Sequence, residues 1–258
     1  MKKTKRFLSI LLSVVLMCIS VLPCSAEQSD YDFLLSCGYS AEFLDKLPRE
    51  YHSKLREVIS DYDATVIESS DENISISRGA IDESDLDLEI EAIELCQTGT
   101  NIINGYAVTV SWVRAEDKPV NTSNQDAMTV NWNADLLHLT EDGFYSQDWY
   151  KTSSSGEEII NRECTVASLS SQGGVGFYTE LEGNYPFVGG AALIVLETAV
   201  PMYTGTTYSS SINLEYAHDF SLWGIGGAGF TAGPVGVSLD CGNLCDTMAD
   251  SKTIRYSN

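Results

Sequence analysis

Apolar and polar residues in this chain follow two different periods. Between residues 27 and 65 the apolar positions recur as on a helix, and from Asp85 onward they alternate. In 105–113, Tyr106, Val108, Val110 and Trp112 share one face. In 128–132, Met128, Val130 and Trp132 oppose Thr129 and Asn131. In 208–216, Tyr208, Ile212, Leu214 and Tyr216 alternate with Ser209, Ser211, Asn213 and Glu215. In 85–91, Leu86, Leu88 and Ile90 lie between Asp85, Asp87, Glu89 and Glu91, and Val235, Val237 and Leu239 repeat the pattern. Further strands are expected over 158–167, 175–182, 190–198 and 252–256. Turn residues separate them at Asp117–Asn124, Ser153–Gly156, Gly183-Asn184 and Thr204-Gly205. One-sided strands joined by turns without intervening helices predict antiparallel pairing. About nine strands of uneven length suit a β-sandwich better than a barrel.

The 27–65 region reads as three short helices. The first, from Asp30, stops at Gly38, a residue suited to the left-handed position after a helix. Ser40 caps the second, with Glu42 near its positive end. Pro48 opens the third, on which Tyr51, Leu55, Val58, Ile59 and Tyr62 form one stripe. The expected organisation is a leader over 1–26, a helical region over 27–65, an acidic linker over 66–84 and a sandwich over 85–258. The helices are expected to be a small appendage packing on the main domain, with a propeptide or recognition module as the alternative, and the period change across that polar linker predicts that the sandwich folds without them.

The leader carries the strongest single signal. Lys2, Lys3, Lys5 and Arg6 precede the apolar run Phe7–Leu22, and Pro23-Cys24-Ser25-Ala26 breaks it before Glu27. That is the layout of a secretory signal peptide, so a secreted, extracellular protein with no stable membrane span after signal removal is expected. The formal net charge is −22, which excludes charge-driven binding to nucleic acid or to an anionic membrane. Export permits disulfides, and Cys241, Cys245, Cys96 and Cys164 are the candidates, with Cys241-Gly242-Asn243-Leu244-Cys245 the one close pair. The three histidines lie near no second cysteine pair, so no metal site is expected. No cofactor is expected either. Gly224–Gly229 has Gly-x-Gly-x-x-Gly spacing but not the strand–helix context that binds a dinucleotide.

The chain has no nucleophile elbow and no His-Glu-x-x-His motif. Glycoside hydrolysis needs two carboxyl groups roughly 5–10 Å apart, and alternate residues on a strand meet that spacing. Glu89 with Glu91 and Glu180 with Glu182 are the weak catalytic candidates. Glu89–Glu94 faintly resembles the Glu-x-Asp-x-x-Glu strand of laminarinase-like enzymes, with Glu91 at the Asp position. Both pairs are expected on wet faces, where the carboxyls stay ionised and donate protons poorly. Trp112 and Trp132 fall on apolar strand faces and are expected in the core. The run from Asp142 to Tyr150, with Phe144, Tyr145, Trp149 and Tyr150 separated by polar residues, is expected to be an exposed binding surface.

Leu34-Leu35-Ser36-Cys37-Gly38-Tyr39-Ser40 leading to Leu47-Pro48, and Trp132-Asn133 through Asp142-Gly143-Phe144-Tyr145, resemble uncharacterised exported proteins of Gram-positive, Clostridia-type bacteria. The resemblance implies secretion, a helical N-terminus and a β-rich remainder, and no activity. The expected function is a non-enzymatic extracellular binding module for a ligand or surface that the sequence does not name. A secreted polysaccharide hydrolase is the alternative. A toxin-like membrane-active β-protein, using the uncharged glycine-rich stretch 220–234, is a second. The leader yields the first test. Mature protein from culture medium should begin at Glu27 by intact mass and N-terminal sequencing; a chain starting at Met1, or lipid on Cys24, would refute export by this route.

Overall fold

A computed structural model of the chain describes residues 29–66, 86–114, 126–151, 159–164, 166–170, 173–179, 187–205, 209–219, 229–233, 236–240 and 245–255. Three helices come first: α1 (Asp30–Ser36), α2 (Ala41–Lys46) and α3 (Arg49–Ile59). The side chains of Ser29 and Ser40 accept hydrogen bonds from the Asp32 and Phe43 amides, at 3.1 and 3.0 Å, satisfying donors that a helix start leaves unpaired. Gly38, at φ 102°, ends α1 as expected. Pro48 stands at the N-cap of α3, one position before the helix proper.

The strands are β1 (Asp63–Val66), β2 (Leu86–Cys96), β3 (Ile102–Arg114), β4 (Asp126–Asn131), β5 (Leu137–Lys151), β6 (Ile159–Cys164) and β7 (Val166–Ser170). After them come β8 (Gly174–Thr179), β9 (Phe187–Tyr203), β10 (Ser209–Asp219), β11 (Gly229–Gly233), β12 (Gly236–Asp240) and β13 (Cys245–Arg255). All pairings among the described strands are antiparallel. One sheet has the order β1-β2-β3-β9-β5-β6, a second β13-β10-β4-β8-β7, and β11-β12 form a separate ribbon. The chain is mainly β with a short helical region on its N-terminal side, and the two sheets pack face to face as a sandwich.

Alternation explains the core between the sheets. Tyr106, Val108, Val110 and Trp112 of β3 and Ala192, Ile194 and Leu196 of β9 face Met128, Val130, Phe177, Leu214 and Tyr216 of the other sheet, all buried. Trp132 belongs to the same cluster. Outside the second sheet, Phe230 of the ribbon packs on Tyr178, ring centroids 4.9 Å apart.

The middle of the six-stranded sheet is dry on its other face too. Leu34, Phe43, Leu44, Leu47, Tyr51, Leu55 and Ile59 of the helical region share one cluster with Ile93, Leu95, Ala107, Trp149, Ala191 and Leu193 of the sheet. The helical region thus packs on the main domain as expected, and it does so as a third layer that shares a core with the sheet. Covalent continuity reinforces this: β1 starts at Asp63, inside the region expected to be helical, and pairs with β2 from Asp63↔Cys96 to Val66↔Ile93. Of the expected linker, only Val66 lies among the described residues.

Strand β5 differs from expectation in kind. Residues 137–151 form one long strand beside β9, although the sequence pattern predicts no strand there. Pairing runs Leu139↔Leu196 and resumes at Phe144↔Ile194, so a bulge absorbs Thr140–Gly143 and shifts the alternation across it. Gly143 is needed at that bulge, because a Cβ there would stand 2.3 Å from Thr140 Oγ1 and 2.6 Å from the Val195 carbonyl oxygen.

Because the helices and the sheet share a core, Leu55→Ala should destabilise the whole chain. The expected loss is about 2–5 kcal/mol, as for buried leucines generally. Near- and far-ultraviolet circular dichroism should show one coincident thermal transition at lower temperature. Two separated transitions, with only the helical signal shifted, would mean that the helices fold as a separate unit.

Candidate functional site

The aromatic run of β5 is not a surface. Trp149 is 3% exposed and belongs to the helix–sheet cluster, its indole 3.2 Å from where a Cβ on Gly189 would stand. Phe144 packs between the sheets against Phe177, centroids 5.2 Å apart. Tyr145 faces the helices, with Tyr51 at 5.7 Å and the Lys54 ammonium 5.7 Å from its ring centroid. The side chain of Tyr150 lies outside the described residues. Polar residues between aromatics suggested a wet strand, but Ser146, Gln147 and Asp148 are themselves buried.

The acidic strand is not an open carboxylate pair either. Asp87, Glu89 and Glu91 project from β2 on the side of Ile93 and Leu95, toward the helices. Lys46 of α2 reaches Glu89 at 2.7 Å and Asp87 at 2.8 Å. Burial alone would lower the Lys46 pKa, but hydrogen bonds to Asp87 and Glu89 prevail and raise it to about 12. Glu89, 29% exposed, moves upward: burial, helped by Asp87 and Glu91, outweighs its one ammonium partner. The ion pair thus favours the charge on Lys46 more than the charge on Glu89. Glu180 and Glu182 lie outside the described residues.

Cys96 is a buried free thiol, as is Cys37, which removes Cys96 from the disulfide candidates. Burial first, then a hydrogen bond to Glu94, raises the Cys96 thiol to about 12, so it is a poor nucleophile. Cys241 and the side chains of Cys164 and Cys245 lie outside the described residues. Among the described residues, no three His, Cys, Asp or Glu side chains are grouped to hold a metal ion. No helix among them is long and apolar enough to cross a membrane.

Two polar constellations appear that sequence reasoning missed. The first links the sheets at one end of the sandwich. Trp112 Nε1 donates to Thr179 Oγ1 at 2.9 Å, and the Thr179 hydroxyl donates to Asp148 Oδ1 at 2.6 Å. Beside Thr179 across the β4–β8 ladder stands Asp126, which accepts from the Tyr216 hydroxyl. All five side chains are at most 1% exposed. Gly190 makes room for them, since a Cβ there would come within 2.4 Å of both Asp148 Oδ1 and the Trp112 ring. Such a network specifies one docking of the two sheets.

The second is a cleft of about 700 Å³ in the helical layer. Leu44 and Leu47 form its apolar part, and Asp30, Tyr31, Asp45, Arg49, His52 and Ser53 supply polar groups. Asp30 accepts from the Ser53 hydroxyl and from Arg56 at 3.0 Å. The Ser53 hydrogen bond chiefly, with Arg56, holds its carboxyl below the usual range. The Tyr31 hydroxyl donates to Asp45 at 2.9 Å. His52 is held by Leu44, whose carbonyl lies 2.9 Å from Nε2. A carbonyl only accepts, so the proton sits on Nε2. Both cleft carboxylates are thus engaged within the protein, whereas Arg49 makes no ion pair among the described residues. No sequence motif announces this cleft, because its groups come from three short helices that meet only in the fold.

No family model and no curated protein matches the chain. Among solved structures, one of AvmM, described as catalysing macrocyclization in alchivemycin A biosynthesis, aligns over 71% of this chain and 96% of its own, at 9% identity and a TM-score of 0.29. Likeness at that level carries nothing about the fold or chemistry of this chain.

The Lys46–Glu89 geometry yields a pH test. A carboxyl whose folded pKa is raised adds stability below its unfolded pKa, and that contribution is lost as pH rises through the folded value. Glu89→Gln keeps the neutral form at every pH. Relative to the parent, the variant should gain stability as pH rises from 4 to 7 in denaturant titrations; a difference that is constant or falls over that interval would overturn the assignment.

Proposed function

We propose that the chain is an exported binding module that takes a small anionic ligand in the cleft of its helical layer. Export is supported by the basic, apolar and small-residue sequence of 1–26. Binding rests on one observation above the others. Among the described residues, the cleft presents a guanidinium with no carboxylate partner beside polar groups fixed by Asp30–Ser53–Arg56, Tyr31–Asp45 and His52–Leu44. Its volume falls in the range of small-molecule sites, about 300–1,000 Å³. Arginine pairs with a carboxylate or phosphate through two parallel hydrogen bonds. The net charge of −22 opposes polyanions and so favours a small ligand with one anionic group.

Hydrolysis has less support. A glycosidase needs a carboxylic acid that stays protonated near neutral pH. Asp30 is shifted the wrong way, and Glu89, which is shifted upward, is bonded to Lys46 beneath the helices. Of the glycine-rich stretch invoked for membrane activity, Gly229–Gly233 forms β11 of the ribbon.

The test is thermal stability in the presence of acetate, L-glutamate and D-glucuronate, with D-glucose as the neutral control. A ligand at about 100 times its Kd adds about 2.7 kcal/mol, or roughly 5–10 °C in Tm for a chain of this size. The expected result is a saturable rise with at least one carboxylate, lost in Arg49→Glu. Flat curves for all three carboxylates, or a rise that survives Arg49→Glu, would overturn the reading.

A further inference from the structure

The helix–sheet interface contains polar atoms that its apolar packing does not explain. Among the described residues, Tyr51 Oη, Ser111 Oγ and Gln147 Oε1 are buried without hydrogen-bond partners, on residues 0%, 1% and 8% exposed. Their positions are related. Ser111 and Gln147 both pair with Ala191, so the three form one row across β3, β9 and β5. Ala191 belongs to the cluster facing the helices, which puts all three on that face. Glu89 of β2 continues the row beyond Ser111. Tyr51 descends from α3 against Tyr145, two residues before Gln147 on the same strand face. The centre of the row is alanine, while the next row carries Leu193 between Thr109 and Tyr145. The sheet is therefore shallowest between its two orphaned polar groups.

Buried polar groups are almost always bonded, and each exception calls for an explanation. Three exceptions on one interface call for a common one. We infer that the interface over Ala191 binds a small, uncharged, hydroxyl-bearing molecule that bonds to Ser111, Gln147 and Tyr51. The chemistry follows from the donors. Gln147 Oε1 only accepts, whereas the two hydroxyls can donate or accept. A guest with adjacent hydroxyls supplies a donor to the amide oxygen and exchanges bonds with both hydroxyls. A cationic guest is disfavoured because Glu89, the carboxylate in the row, is already bonded to Lys46. An anionic guest is disfavoured because it would meet that carboxylate in a row whose other members, Ser111, Ala191 and Gln147, carry no positive charge. Tyr145 and Trp149 flank Gln147 on the same strand face and give the site apolar walls for the carbon side of a sugar-like molecule. This site lies on the sheet side of the helices and does not depend on the reading of the Arg49 cleft.

The test uses the full chain and two variants, Ser111→Ala and Gln147→Met. Purified protein is denatured and the released small molecules are identified by mass spectrometry against a buffer blank. D-glucose is then titrated onto the protein, with binding read by saturation-transfer NMR. Release of a neutral polyol near one per chain, or saturable D-glucose binding, is expected, and both variants should lose it. Ser111→Ala should also melt several degrees lower. The opposite sign is diagnostic: a truly orphaned hydroxyl is a liability, so its removal would leave Tm unchanged or raised. That result, with nothing released and no D-glucose binding, overturns the inference. A lower Tm with nothing released and no D-glucose binding means water only, and overturns it equally. If Ser111→Ala fails to fold, Gln147→Met decides by the same readouts.

Discussion

The structure depends on one constraint: the middle of the six-stranded sheet has no wet face. Strands β3, β9 and β5 are covered by the second sheet on one side and by the helices on the other. Each residue there must be apolar or find a polar partner, because an unpaired buried polar group costs about 1–3 kcal/mol. This explains why β9 reads Ala191-Ala192-Leu193-Ile194-Val195-Leu196, apolar at successive positions. It explains why α3 carries its stripe of Tyr51, Leu55 and Ile59 on the side facing the sheet. It also gives meaning to the few polar residues in that layer, each of which departs from what packing alone would select.

Legibility in the sequence follows the same constraint. Strands with one apolar and one polar face in sequence, such as β4 and β10, stand out by alternation. The helices stand out by serine caps, Gly38 and a 3.6-residue stripe. Strand β5 does not, because its second half is buried on both faces and its bulge at Thr140–Gly143 breaks the alternation. Its polar residues then make Tyr145 and Trp149 look exposed. The Glu89–Glu91 face looks wet because nothing local to β2 shows that α2, more than 40 positions earlier, covers it with Lys46. The cleft and the Trp112–Thr179–Asp148 link are invisible for the same reason, since their residues meet only after the layers pack.

The Trp112–Thr179–Asp148 link joins two sheets that apolar packing alone would allow to slide. Apolar contacts are non-directional, whereas an indole N–H, a threonine hydroxyl and a carboxylate fit together in one arrangement. Gly189 and Gly190 are part of that arrangement, because Trp149 and Trp112 occupy the volumes their side chains would need. Two tryptophans on opposite faces of one sheet are thus keyed to two consecutive glycines.

The pairing of β3 with β9 has a consequence for how fast this architecture forms. Ile102 pairs with Tyr203, and Asn131 with Asn213, so these ladders close loops of about half the sandwich before they return any stabilisation. Chains dominated by such distant pairings fold in milliseconds to seconds or more slowly, because loop-closure entropy precedes the gain. The helices and β1 offer only local contacts until the sheet beneath them exists. A newly made chain of this topology therefore stays unfolded for a comparatively long interval. That delay leaves its apolar strands unpaired for longer before the layers pack over them.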